Sequence, residues 1–122
     1  MYEDPYAEFL GIELEKVETG HARASMKIKE HMLNFNGSAN GGAIFSLADY
    51  AFAVASNSHG QPAMGITMTM HYLSAGRSGQ RLTAVAMEEK EPTRLGLYRI
   101  EVKNEHEDLI ALAEGMVYRK RK

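Results

Sequence analysis

Asp49 is the one carboxylate in a run of small and apolar residues from Ala43 to Ala55. Burying an unpaired charge costs roughly several kcal/mol, so an apolar helix has no folding reason to keep one. A carboxylate in that position can act as general base on a water molecule, or as nucleophile through an anhydride. Directly before the run stand Asn40, Gly41 and Gly42, and Asn34 lies in the preceding loop. The N-terminus of a helix presents oriented N–H groups and partial positive charge, which suits a developing oxyanion. Glycine at 41 and 42 lets a carbonyl approach the backbone closely. On residue types alone other readings stand beside this one. Asp49 could be a structural carboxylate satisfied by backbone or Tyr50. Asn34 and Asn36, beside Gly37, could be turn residues that tolerate left-handed conformations.

The elements that must position these residues follow from periodicity. Asp4-Pro5 reads as an N-cap followed by proline at the first helical position, which predicts a short helix through about Leu10. Gly11 then releases a strand at Ile12 to Glu15, and Thr19-Gly20 reads as a turn. Ala22, Ala24, Met26 and Ile28 alternate with Arg23, Ser25, Lys27 and Lys29, the pattern of a half-buried strand in an antiparallel hairpin. After a polar loop at 31–40, the segment from Gly41 to about Ser58 has the length and alanine content of a helix. It is apolar nearly all round, which predicts a central, buried helix.

Beyond Pro62 the period returns to two. Met64, Ile66, Met68, Met70 and Tyr72 share one face of a strand. Three further strands are marked by Leu82, Ala84 and Ala86, by Tyr98, Ile100 and Val102, and by Leu109 to Val117. Turns at Ser74–Gly79, Glu88–Pro92 and Asn104–Asp108 separate them, as in hairpins or a meander. One apolar helix and five to six strands predict an α+β domain, 1–122, with a curved antiparallel sheet around the helix. That architecture is the hotdog fold.

Composition narrows the function classes. The chain has 122 residues, 44% hydrophobic and 25% charged, with a net charge of −2, so nothing global favours nucleic acid or an anionic membrane. The absence of cysteine excludes disulfides, thiolate chemistry and cysteine-based zinc sites. His21, His31, His59, His71 and His106 lack metal-ligand spacing, and no metal is expected. The acidic start, Met1 to Asp4, does not resemble a signal peptide, and the longest apolar run is too short to span a bilayer, so a cytoplasmic protein is expected. The basic end, Arg119 to Lys122, reads as a solvated tail or as an electrostatic rim for an anionic ligand.

The stretch from Met32-Leu33-Asn34 through Gly41-Gly42 to Phe45-Ser46-Leu47-Ala48-Asp49 resembles the signature of the PaaI-like acyl-CoA thioesterases, a hotdog family. That pattern places an Asn in the loop, His-Gly-Gly at the helix start and a catalytic Asp in Phe-Ser-Leu-Ala-Asp. The resemblance extends weakly through Tyr72-Leu73 and the last strands. It implies hydrolysis of an acyl- or aryl-acyl-CoA thioester, with no cofactor beyond the coenzyme A of the substrate. Asp49 is then base or nucleophile, the Gly42 N–H polarises the thioester carbonyl, and Asn34 positions the carbonyl or the water. Asn40 and Gly41 become further substrate-binding candidates. Asn40 stands where the family keeps histidine, and an amide takes up no proton near neutral pH, so a proton-transfer role does not carry over.

Gly42 and Asp49 are seven residues apart, nearly on one face but roughly 10 Å apart along the axis. If both act on one carbonyl, the second comes from another subunit. A two-fold dimer with shared sites is expected, as the resemblance also implies, with a dimer of dimers left open. Arg77, Arg81 and the basic end are candidates for the coenzyme A phosphates, and Met64, Met68 and Met70 for an adaptable acyl pocket or for core. Two other functions fit the same fold: a non-catalytic acyl-CoA sensor or regulator, and an enoyl-CoA hydratase. The hydratase pairs an Asp with a nearby His, and position 40 is Asn.

Overall fold

The structure, a computed structural model, describes residues 2–89 and 94–120. Helix α1 (Pro5–Leu10) starts as expected, with the Asp4 side chain accepting from the N–H groups of Tyr6 and Ala7 at 3.0 Å. Gly11, at φ 76°, ends it in the left-handed conformation that glycine adopts freely. Strands β1 (Glu13–Glu18) and β2 (His21–Lys27) form the expected hairpin. A single 3₁₀ turn, Glu30–Met32, leads into the loop before α2 (Gly41–Ser56). Strands β3 (Ala63–Tyr72), β4 (Arg81–Glu88), β5 (Leu95–Lys103) and β6 (Leu109–Arg119) complete the chain.

Among the described residues the strands form one six-stranded antiparallel sheet, in the order β1-β2-β4-β5-β6-β3. The last four strands are therefore not a simple meander. Helix α2 carries the chain across the sheet, so β3 lands on the far edge beside β6. The turn at 74–80 then returns it to β2, fixed by hydrogen bonds from Gly79 N–H to Ile28 and from Ile28 N–H to Gln80. The turn expected at Glu88–Pro92 falls largely on residues 90–93, outside the described residues.

Helix α2 seats on a sheet surface made of small side chains. Ala22 pairs with Ala86 and Ala24 with Ala84 across β2 and β4, and all four are fully buried. Leu47, Ala48, Ala51 and Ala55 of α2 are buried to the same degree. Alanine on both surfaces brings the helix axis close to the sheet, while Met26, Leu82, Ile100 and Val102 fill the spaces around it. The ring of Phe52 lies over Gly115, where an added Cβ would come within 2.7 Å of it, and meets Tyr98 edge-on.

Three expectations change. Helix α2 is not buried all round, because Gly42, Asp49 and Ala53 form an exposed stripe. It also ends at Ser56, where Asn57 ties it to β3 by donating to the carbonyls of Ala53 and Ala63 and accepting from the Ala63 N–H. On β3, Met64, Ile66 and Tyr72 are 55%, 52% and 52% exposed, so they are not core. A bulge between Gly65 and Thr67 breaks the alternation, and an edge strand has little of the helix to pack against.

The third change concerns the basic end. Arg119 is 3% exposed and lies inside β6, donating to the Tyr98 hydroxyl at 2.6 Å and to Glu88 at 3.3 Å. Glu88 also accepts from Tyr98 and meets His59 Nε2, each at 2.9 Å. Burial, and the hydrogen bond to Glu88, hold the Tyr98 phenol well above its ordinary value, so it stays a neutral donor. Lys120 is exposed, and residues 121 and 122 lie outside the described residues. Arg119→Ala, which strands Glu88 beside a buried gap, should lower stability by about 3–5 kcal/mol in urea unfolding. Lys120→Ala should stay within about 0.5 kcal/mol of wild type.

Candidate active site

The loop before α2 is built by asparagines. Asn34 Oδ1 accepts from the N–H groups of Asn36 at 2.9 Å and Ser38 at 3.1 Å, and the Asn34 N–H donates to the Ser38 carbonyl. Gly37, at φ 80°, closes this turn. The turn reading of Asn34 therefore holds for its oxygen. Its amide nitrogen makes no hydrogen bond among the described residues and remains a donor for something else. The loop is anchored by Ala39 N–H to the Gly76 carbonyl and by Asn40 N–H to the Met32 carbonyl.

Asn40 caps α2. Its side-chain oxygen accepts from the Gly42 N–H at 2.7 Å, and its carbonyl receives the N–H groups of Ala43 and Ile44. The donor assigned to the oxyanion by sequence is thus engaged by Asn40. Among the described residues the Gly41 N–H has no acceptor, because a first helical residue has none within its own helix. The open donor at this helix start belongs to Gly41.

Tyr72 reaches the same point from β3. Its hydroxyl donates to the Gly41 carbonyl at 3.1 Å, and its ring would lie 3.3 Å from a Cβ added at Gly41. Glycine at 41 is what lets the aromatic ring rest on the helix start. In the sequence Tyr72 belongs to a strand face and to the weak continuation of the family resemblance, with no role at the site. No local pattern links positions 31 residues apart.

Asp49 lies elsewhere on the same helix, one stripe with Gly42 and Ser46. It sits in a cleft of about 230 Å³ with Asp4, Tyr6, Ile12, Phe45 and Tyr50 among the lining residues. Asn34, Gly41 and Gly42 do not line that cleft. Within one chain Asn40 is bonded to the glycine pair, Asn34 lies in the loop that leads to them, and Asp49 stands apart in its own cleft. The cleft withdraws the Asp49 carboxyl from much of the bulk water although the residue as a whole is exposed. This burial, and next the charge of Asp4, raise Asp49 above its ordinary value.

The other candidates are placed as follows. Arg81 is engaged with Glu13 at 3.4 Å and Ser25 at 3.0 Å on the outer face of β1, β2 and β4. Ser25, expected to face solvent, is fully buried beneath Arg81 and Glu15. Arg77 is exposed in the turn at 74–80. Among the described residues no His, Asp and Glu group is arranged to hold a metal ion, and no helix is long and apolar enough to cross a membrane.

Residues 36–111, which run from the loop before α2 through α2, β3, β4 and β5 to the start of β6, match the profile of the thioesterase superfamily. The chain belongs to the thioesterase superfamily. It is 39% identical over 120 residues to the acyl-coenzyme A thioesterase PaaI of Escherichia coli K12, an alignment covering 98% of this chain and 86% of that protein. The structure of E. coli PaaI, from the phenylacetic acid degradation operon, superimposes with a TM-score of 0.94 at 37% identity, covering 97% of this chain and 86% of the other. A variant of the phenylacetic acid degradation protein PaaI from Thermus thermophilus gives 0.92 at 37% identity, covering 96% and 100%. The hotdog architecture and the PaaI-like resemblance expected from the sequence are both borne out.

Asp49 also leaves a signature in stability. Its raised value means the folded state holds a proton that the unfolded chain has released, so stability falls as pH rises from the ordinary 3.8 through the folded value. Asp49→Asn should therefore raise the melting temperature at neutral pH. That gain should vanish once the pH is brought below the ordinary value, as thermal unfolding across pH will show.

Proposed function

We propose that this thioesterase-superfamily member hydrolyses acyl- or aryl-acyl-CoA thioesters to the free acid and coenzyme A. We infer that it works in the cytoplasm as one domain, with no resident metal or cofactor, and as a homodimer whose sites are shared. The observation that carries the shared site is the separation of Asp49 from the open helix-start donor on a single helix. The likeness to an acyl-CoA thioesterase supports the substrate class.

The outer edge of β3 supports the dimer. Among the described residues it pairs with no strand, and it exposes Met64, Ile66 and Tyr72 beside it. An uncovered apolar edge is a template for another strand, and a second copy of β3 would cover it. Tyr72 ties this edge to Gly41, so a partner docked there stands next to the helix start.

In such a site the thioester carbonyl accepts from the Gly41 N–H, joined by the Gly42 N–H once Asn40 turns away. The Asn34 amide nitrogen donates to the carbonyl or to the attacking water. Asp49 of the other subunit takes a proton as water oxygen bonds to the carbonyl carbon. The C–S bond then breaks, and the departing thiolate recovers a proton. Attack by the carboxylate itself, followed by hydrolysis of the anhydride, uses the same groups.

Thiol release from a panel of acyl-CoAs tests this. Asp49→Ala should lower kcat by about 10²–10⁴-fold with folding intact. Saturable acyl-CoA binding without thiol release by the wild type would point to a sensor instead. The shared site has its own measurement. Gly41→Pro removes the open N–H at a first helical position, where the backbone accepts proline but the Tyr72 ring, 3.3 Å from the added Cβ, must give way. Equal mixtures of that variant with Asp49→Ala should regain about a quarter of wild-type activity, since half the dimers are hybrids with one intact site. No recovery after verified subunit exchange contradicts it.

A further inference from the structure

The N-terminal segment lies against the exposed stripe of α2 beside Asp49. Tyr50, the neighbour of Asp49, donates its hydroxyl to the Tyr2 carbonyl at 2.8 Å and clasps the segment to the helix. Asp4 and Asp49 line the same cleft. Asp4 is fixed there, because one of its oxygens accepts both N–H groups that open α1. Two carboxylates thus face one small space from elements 45 positions apart in the chain.

We propose that Asp4, held by the cap of α1 against the exposed face of α2, is a positioning residue that acts on the reaction through Asp49. This rests on the reading of Asp49 as base or nucleophile. The groups facing Asp49 leave Asp4 as the source of charge. Tyr6 from α1 and Tyr50 from α2 are the other titratable residues of the cleft, and a phenol carries no positive charge in either form. Among the described residues no lysine, arginine or histidine lines this cleft. Glu3, Glu8, Glu13, Lys27, Lys29 and Arg81 line the adjoining cleft, which Asp4 and Tyr50 also border, and none of the six lines this one. A fixed negative neighbour makes Asp49 harder to ionise and, once ionised, a stronger base.

Asp4→Asn and Asp4→Ser separate this electrostatic role from the cap. Both side chains cap helices as well as Asp does, so a merely structural residue would tolerate them without effect. In an electrostatic role both variants shift the acid limb of kcat/KM to lower pH. Activity on that limb, relative to each plateau, should rise roughly two- to threefold at low salt. The plateau itself should fall, because Asp49 becomes the weaker base. Raising the salt to 1 M, where charges are screened within about 3 Å, should erase much of the difference. Carbon-13 NMR of the Asp49 carboxyl in wild type and Asp4→Asn reads the coupling directly. An Asp49 titration that stays in place in an active enzyme overturns the role of Asp4 alone. Absence of thiol release from the wild type overturns the thioesterase reading, and this role with it.

Discussion

The seat of α2 on the sheet is the contact on which the remaining structure depends. Alanines face alanines there, at the pairs Ala22–Ala86 and Ala24–Ala84 below and at Ala48, Ala51 and Ala55 above. Small side chains permit a close approach, and close approach excludes water from a broad apolar surface. The same contact fixes the rotation of the helix. With one side committed to the sheet, the stripe through Gly42, Ser46, Asp49 and Ala53 must face away. Asp49 is therefore presented at the surface, in a cleft that α2 forms with α1 and the N-terminal segment.

Each end of α2 is held by polar groups. At the start Asn40 satisfies the Gly42 N–H while Tyr72 holds the Gly41 carbonyl. One donor is thus occupied, and the adjacent one stays open. Near the other end, Gly20 N–H donates to Ser58 at 2.7 Å, and His59 joins the buried group of Glu88, Tyr98 and Arg119. That group spans β4, β5 and β6 and pins the helix exit to the middle of the sheet. Between these anchors the helix has little freedom to slide, which suits a site that needs a backbone donor in a set place.

Much of the fold was legible because it rests on local chemistry. The Asp4 cap with Pro5, the β1–β2 hairpin and the alternation of Tyr98, Ile100 and Val102 are short-range patterns that survive into the structure. So is the motif from Asn34 to Asp49, whose spacing identified the family. The errors lie where a residue's surroundings come from distant strands. Met64, Ile66 and Tyr72 alternate like core residues, yet β3 is an edge with a bulge. Arg119 reads as the start of a basic tail, yet Glu88 and Tyr98 draw it inside.

The sequence by itself determined the elements, the family and the residues able to do chemistry, because periodicity, caps and a fixed spacing along one helix are encoded locally. It also determined that Gly42 and Asp49 cannot meet within one chain, since helical rise is a constant of the backbone. Tertiary structure decided which helix-start donor is open, that Tyr72 rests on Gly41, and that Asp4 shares a cleft with Asp49. Each of those depends on side-chain direction or on contact across tens of residues. Such contacts are set by how the helix seats on the sheet, and no local pattern contains that.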